Sequence, residues 1–188
     1  DWDNYVEDVK SRIPQLSVED DNDTLYYGNI STGCRICQKG KWECTFITPN
    51  CNLSCEFCIS PVSSSSPISL SGFGKSSEEI ITNYGKVGIE GISFSGGEPF
   101  QNFSHTKNLY QLLRSHFPDN YFWLYTNGTM VVKEDIDILA SMGINEIRFN
   151  TAASGYQNKN ILKIIEYNEK RIEAVTVEVP IIAKDTNK

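Results

Sequence analysis

The sequence predicts an α/β fold built on a parallel sheet, and three observations carry that expectation. Short β-branched and aromatic runs alternate with segments of helical periodicity from Lys41 onward. The alternation recurs at about 25–30 residues, the length of a strand with its crossover helix. Polar motifs, "NCNLSCEFC", "SGGEP", "TNGT" and "FNTA", close successive strands at the same end. Right-handed crossovers leave two arrangements, an open doubly wound sheet or a barrel, complete or partial. In either, chemistry collects where the strands end.

Residues 1–40 form a polar, punctuated N-terminal extension, and the acidic run in "VEDDNDTLYYGN" is expected as a solvated face or loop. The βα core occupies residues 41–188. "WECTFIT" is its first strand, ended by Pro49. After the cysteine loop, "SPVSSSSPISLSGFGKSS" is expected as loop, because Ser, Pro and Gly cannot build a core. Ser76 and Glu79 give a capping-box signature ahead of Ile80, Ile81, Tyr84 and Val87, and Gly88 stops that helix. "GISFS" is the second strand. The next helix puts Leu109, Leu112, Leu113 and Phe117 on one face and breaks at Pro118. "YFWLYT" is the third strand, closed by "NGT". Residues 133–142 make a helix through Ile136, Leu139 and Met142, with Gly143 as its C′ residue. The strand "INEIRF", a helix holding Ile161, Ile164 and Ile165, and the strand "AVTVEV" complete the series.

Composition narrows the function classes. A chain of 188 residues can bury roughly 70% of its unfolded surface in one core. Its net charge of -7 argues against nucleic acid as the main partner, since backbone binding runs on counterion release from basic patches. No apolar run approaches the roughly 20 residues of a membrane span, so no membrane partner is expected. The six cysteines are clustered rather than spread, which points to metal binding in a cytoplasmic chain rather than to a secreted disulfide framework.

Cys51, Cys55 and Cys58 crowd into eight residues after the first strand. Three thiolates on one loop suit three corners of a cubane iron–sulfur cluster and leave its fourth iron open to a small molecule. Zinc is the rival, although structural zinc sites usually take four ligands in two spaced pairs. Inert structural thiols are the third reading.

The pattern CxxxCxxC, with Phe57 immediately before the last cysteine, resembles the radical S-adenosylmethionine (SAM) enzymes, and "SGGEP" after the second strand is similar to their SAM-binding GGE motif. The resemblance spans about residues 41–182 and implies a parallel (β/α) partial TIM-type barrel with a cysteine-containing N-terminal extension. It implies that Cys51, Cys55 and Cys58 bind a [4Fe–4S] cluster whose open iron is chelated by SAM. Gly96 and Gly97 would approach the methionyl amine, Glu98 would pair with it, and Phe57 would pack beside the adenine. Thr126 and Asn127 would serve ribose or carboxylate, as would Arg148 and Asn150. Reductive cleavage of SAM to a 5′-deoxyadenosyl radical, a one-electron donor of flavodoxin or ferredoxin type and an unidentified substrate follow from the same resemblance. The family's common barrel has six βα units where this sequence shows five strands, so the C-terminal part is expected to be missing. A non-catalytic iron–sulfur or zinc module, acting as sensor or electron carrier, is the alternative.

Upstream, Cys34 and Cys37 have chelate spacing between Gly33 and Gly40, as in a knuckle-like turn. They could hold half of a second metal site, form a redox pair, or be structural. Cys44 falls inside the first strand and is expected to pack as a small hydrophobe. His105 and His116 follow no ligand spacing and are expected on helix surfaces.

Overall fold

The computed structural model describes residues 1–19, 24–58, 76–180 and 182. Five strands, β3 (Trp42–Thr48), β4 (Gly91–Gly96), β5 (Tyr121–Thr126), β6 (Glu146–Phe149) and β7 (Ala174–Val177), form one parallel sheet in chain order. Strands added without reversal leave no switch point, which removes the doubly wound alternative. The result is a partial (β/α) barrel that does not close among the described residues. Helices α3 (Ser77–Val87), α4 (Phe103–His116), α5 (Lys133–Met142) and α6 (Lys159–Asn168) fill the crossovers.

Local signals explain these boundaries. Ser76 and Glu79 close the expected capping box, and Gly88 ends α3 at φ 66°. Gly143 ends α5 in the same left-handed way, at φ 79°. The expected serine- and proline-rich loop falls almost entirely outside the described residues.

Alternation along the strands gives the sheet two different faces. Ile92, Phe94, Phe122, Leu124, Ile147 and Phe149 point to the helical side and join Ile80, Leu109, Leu113, Ile136, Leu139 and Ile161 in the main core. Arg114 closes the amino-terminal end of that layer. Its Nη1 donates to the carbonyls of Pro118 (2.9 Å) and Asn120 (2.8 Å), and its Nη2 to Gly143 O (3.1 Å) and Asn145 Oδ1 (3.0 Å).

The opposite, concave face carries Cys44, Ser93, Trp123, Tyr125, Glu146, Arg148 and Thr176. The N-terminal extension covers part of it, and here expectation and structure differ. The stretch expected as a solvated face or loop contains a hairpin, β1 (Leu16–Glu19) paired antiparallel with β2 (Thr24–Tyr27). Helix α1 (Trp2–Arg12) precedes it. The knuckle expected at Cys34 and Cys37 is instead α2 (Thr32–Gln38), capped by Ser31 Oγ accepting from Cys34 N at 3.2 Å. Ile36 of α2 packs with Tyr121 and Trp123 in a second small core. Asp20, Asp21 and Asp23 of the acidic run lie outside the described residues, and the described residues of both strands keep partial or full exposure.

Close approach of α2 to the sheet depends on glycines at both surfaces. A Cβ on Gly91 would lie 2.7 Å from the Trp123 ring and 2.9 Å from Ile36 Cγ2. A Cβ on Gly33 would lie 2.6 Å from both Arg148 Nη2 and Glu146 Oε2. Gly33→Ala therefore sets two effects against each other. Alanine favours a helix by about 1 kcal/mol over glycine, whereas overpacking costs about 1–3 kcal/mol. Because the buried Arg148–Glu146 pair has little room to retreat, the clash should win. Chemical denaturation should show Gly33→Ala less stable than wild type.

Candidate functional site

The carboxyl ends of β3, β4 and β5 converge on the cysteine loop. After β4, Gly97 N donates to Thr48 O at 2.6 Å and Glu98 N to Asn50 O at 2.8 Å. These bonds dock the "GGE" segment on the backbone immediately before Cys51. Gly96 has φ 116°, and a Cβ there would sit 2.6 Å from Thr48 O. A Cβ on Gly97 would fall inside the Asn50 carbonyl. Only glycine permits this contact, so part of the Gly-Gly requirement comes from the chain's own backbone.

Glu98 has 0% exposure. Its Oε1 accepts from Thr126 Oγ1 (2.8 Å) and Phe100 N (3.1 Å), and its Oε2 from Asn127 N (2.8 Å). One carboxylate thus joins the end of β4, the following 3₁₀ turn (Pro99–Asn102) and the turn after β5. Burial pushes its pKa above the usual glutamate value, against the three donors, which act to lower it.

The "TNGT" turn carries the contact onward to the cysteines. Thr126 Oγ1 also accepts from Gly128 N at 2.9 Å. Asn127 Oδ1 accepts from Thr129 N (2.9 Å) and Thr129 Oγ1 (2.6 Å), while its Nδ2 donates to Asn52 Oδ1 (3.0 Å) and Cys51 Sγ (3.7 Å). Asn52 Nδ2 returns a bond to Thr129 Oγ1 at 2.7 Å. Leu53 N supplies a second donor to Cys51 Sγ at 3.4 Å. Neither Asn52 nor Thr129 was singled out from sequence, since a polar residue beside a turn carries no signal of its partner.

Cys51 and Cys55 are half-buried and Cys58 is exposed. Cys58 N donates to Cys55 O at 3.1 Å, closing a turn between them. Burial raises the Cys55 thiol, and the neighbouring Cys58 and Cys51 raise it further, so the three groups feel one another. Among the described residues no group of three or more His, Cys, Asp and Glu side chains is arranged as a metal site. The chemistry of the donor set nevertheless fits an iron–sulfur cluster: three thiols on one loop, with one sulfur already accepting two N–H groups as a cluster thiolate does.

The remaining expected residues divide between this end and the concave face. Asn150 joins the strand ends, its N donating to Thr126 O at 2.9 Å while its Oδ1 caps Ala153 N at 3.3 Å. Phe57 is half-buried in the loop. Arg148 lies on the concave face with 5% exposure. Its Nε donates to Glu146 Oε1 (2.8 Å), its Nη1 to Glu178 Oε2 (3.2 Å) and Tyr125 OH (3.3 Å), and its Nη2 to Ser31 Oγ (3.4 Å) and Cys34 Sγ (3.5 Å). Burial opposes its charge, but Tyr125, Glu146 and Cys34 outweigh burial and raise the guanidinium pKa. Burial pushes the Tyr125 hydroxyl up to about 12.

Cys34 is half-buried against Arg148, and Cys37 is exposed with its thiol raised by partial burial. Cys44 is half-buried and its thiol is raised by burial. His105 and His116 are exposed on α4, as expected.

Residues 32–144 match the family described as a 4Fe–4S single cluster domain. The match covers more than half of the chain, and the chain belongs to that family. It begins inside α2, so it includes Cys34 and Cys37 as well as the loop cysteines. The chain is also similar to a protein of Methanocaldococcus jannaschii provisionally named a glycyl-radical enzyme activating enzyme. The two are 26% identical over 178 residues, covering 86% of this chain and 45% of the relative. The chain thus spans less than half the length of that relative. Together these likenesses identify a member of the radical SAM superfamily. Among the described residues no helix is long and apolar enough to cross a membrane.

The buried carboxyl of Glu98 has a testable pH signature. With its folded pKa raised, the native state binds this proton more tightly than the unfolded chain does. Its contribution to stability is complete below the ordinary glutamate range and is lost as pH rises through the folded value. Glu98→Gln should cost about 1–3 kcal/mol near pH 7, because its amide must turn an N–H toward one of three donors. It should also flatten the decline in stability as pH rises above the ordinary glutamate range. Urea titrations of the metal-free proteins over that rise check both, and an unchanged slope would contradict the assignment.

Proposed function

We propose that this member of the 4Fe–4S single cluster domain family is a radical SAM enzyme that holds a [4Fe–4S] cluster on Cys51, Cys55 and Cys58 and binds SAM beside it. The observation that supports this most directly is the docking of the three-thiol loop onto the "SGGEP" and "TNGT" segments at the carboxyl ends of parallel strands. That is the end at which βα folds assemble their chemistry. Bound there, cluster and SAM supply one-electron reduction of a sulfonium, with loss of methionine and hydrogen-atom abstraction from the substrate by a 5′-deoxyadenosyl radical.

The chain's own residues bind, orient and exclude water. Cys51, Cys55 and Cys58 would hold three irons, leaving the fourth to SAM. Gly96 and Gly97 present backbone without side chains, and Glu98 keeps the strand ends in register beneath them. Thr126 and Asn150 border the same rim, and Phe57 is the aromatic surface in the loop for the adenine. Arg148 spends its donors on Glu146, Glu178, Tyr125, Ser31 and Cys34, so reaching SAM would require it to exchange one of these partners. The name of the relative favours a protein substrate bearing a glycyl radical site, activated with a flavodoxin- or ferredoxin-type donor. Cys34 and Cys37 remain a proposed second metal pair with no further ligand assigned.

Anaerobic reconstitution tests the reading. Wild-type protein should contain iron and sulfide, change its electron paramagnetic resonance on addition of SAM, and release 5′-deoxyadenosine when reduced. Cys51→Ala, Cys55→Ala and Cys58→Ala should each lose the iron chromophore and SAM cleavage together. Release of 5′-deoxyadenosine by any of the three would refute the ligand assignment. A cluster whose spectrum ignores SAM would indicate a non-catalytic iron–sulfur module, and a colourless zinc protein a structural domain.

A further inference from the structure

We propose that Asn127 is a positioning residue for the thiol loop, its side-chain amide donating to the Cys51 sulfur so as to fix that sulfur and to ease reduction of a cluster bound there. The inference rests on the cluster reading above and assigns Asn127 a task different from contact with ribose or carboxylate.

The geometry leaves the amide little choice. Thr129 donates to Asn127 Oδ1 from both its backbone N (2.9 Å) and its hydroxyl (2.6 Å). Two donors on one atom identify it as the oxygen, which turns the NH₂ toward the loop. One N–H then meets Asn52 Oδ1 at 3.0 Å and the other Cys51 Sγ at 3.7 Å. The backbone of the same residue is pinned by Glu98 Oε2 at 2.8 Å. Asn127 is 8% exposed. Its oxygen and both amide hydrogens are therefore engaged within the protein, and none is left over for a nucleoside.

An N–H aimed at a cluster sulfur stabilises negative charge there, and the reduced cluster carries one charge more than the oxidised one. The bond accordingly favours the reduced form, and more strongly where water is excluded. Leu53 N, at 3.4 Å, acts on the same sulfur from the loop itself. Asn127 differs in reaching across from β5, so it couples the sulfur to the Glu98 junction.

Asn127→Ser gives the sharpest test. A serine hydroxyl can still accept from Thr129 N, two residues on, and keep the turn closed, but it is too short to donate to Cys51. Asn127→Ala removes both functions. Wild type and variants are reconstituted anaerobically, their iron and sulfide measured, and the cluster midpoint potential determined by redox titration followed by electron paramagnetic resonance. Thermal unfolding of the metal-free proteins is recorded in parallel. The expected result is a lower midpoint potential in Asn127→Ser with a thermal midpoint near wild type, and a lower value of both in Asn127→Ala. If Asn127→Ala does not hold a cluster, Asn127→Ser decides alone. A wild-type potential in Asn127→Ser overturns the inference while leaving the cluster reading standing. A wild-type protein that assembles no [4Fe–4S] cluster overturns the reading beneath it instead.

Discussion

One carboxylate without access to water organises the chemical end of this molecule. Glu98 accepts one hydrogen bond from its own turn, at Phe100 N, and two from the distant Thr126–Asn127 segment, while its backbone N reaches Asn50 O in a third. Burying such a group is costly unless its oxygens are satisfied, so the junction tolerates few alternative geometries. That intolerance is useful at the end of a sheet. Strand ends are where backbone pairing stops, and without a tie each loop would choose its own path. The Gly96–Gly97 step adds a steric requirement to the polar one, because its contact with Thr48 and Asn50 leaves no space for a Cβ. Together they set the cysteine loop relative to three strands.

The two faces of the sheet meet different demands. The helical side is a conventional apolar core, in which Phe94, Phe122, Leu124, Ile147 and Phe149 stand against four helices. The concave side is polar enough to need its own accounting. Arg148 is balanced by buried Glu146 and exposed Glu178, and Thr176 Oγ1 donates to Glu146 Oε1 at 2.7 Å. A buried pair of this kind contributes little net stability after desolvation, but removing one partner would strand the other. Helix α2 seals the arrangement, and Gly33 is the point where it can sit closely enough. Cys34 and Cys37 therefore lie where the extension meets the barrel, Cys34 against Arg148.

How much of this was legible beforehand follows the range of each signal. The core strands and helices were readable because their causes are local: the capping box at Ser76, the left-handed glycines at 88 and 143, and the alternation in "YFWLYT". The N-terminal hairpin was hidden because its acidic residues and short strands read as solvent-facing loop. Helix α2 was hidden because Gly33 and Gly40 suggested a turn, whereas Gly33 serves packing against Arg148. At the site, "CxxxCxxC" and "GGE" were visible as motifs, since residue type and spacing suffice to mark them. The sharing of Asn127 between Thr129, Asn52 and Cys51 was not. A hydrogen bond spanning 76 residues has no local signature. The orientation of Arg148 was ambiguous for a related reason. Strand position says which face a side chain takes, but not which end of the barrel its long stem will follow.

The Cys51 end of the loop is docked on the fold, and this bears on what a cluster would have to do. Cys51 is held by Leu53 and Asn127, close to the docked backbone of Thr48 and Asn50. Further on, Cys58 is exposed, with its backbone turned onto Cys55. Ordering each residue costs on the order of 1–2 kcal/mol of backbone entropy. A loop whose Cys51 end is docked on the fold has part of that cost met by the protein itself. Such docking fixes one thiol of a donor set suited to iron. It also places the greatest demand for accuracy on Cys51, the sulfur to which the buried Glu98 junction is connected through Asn127.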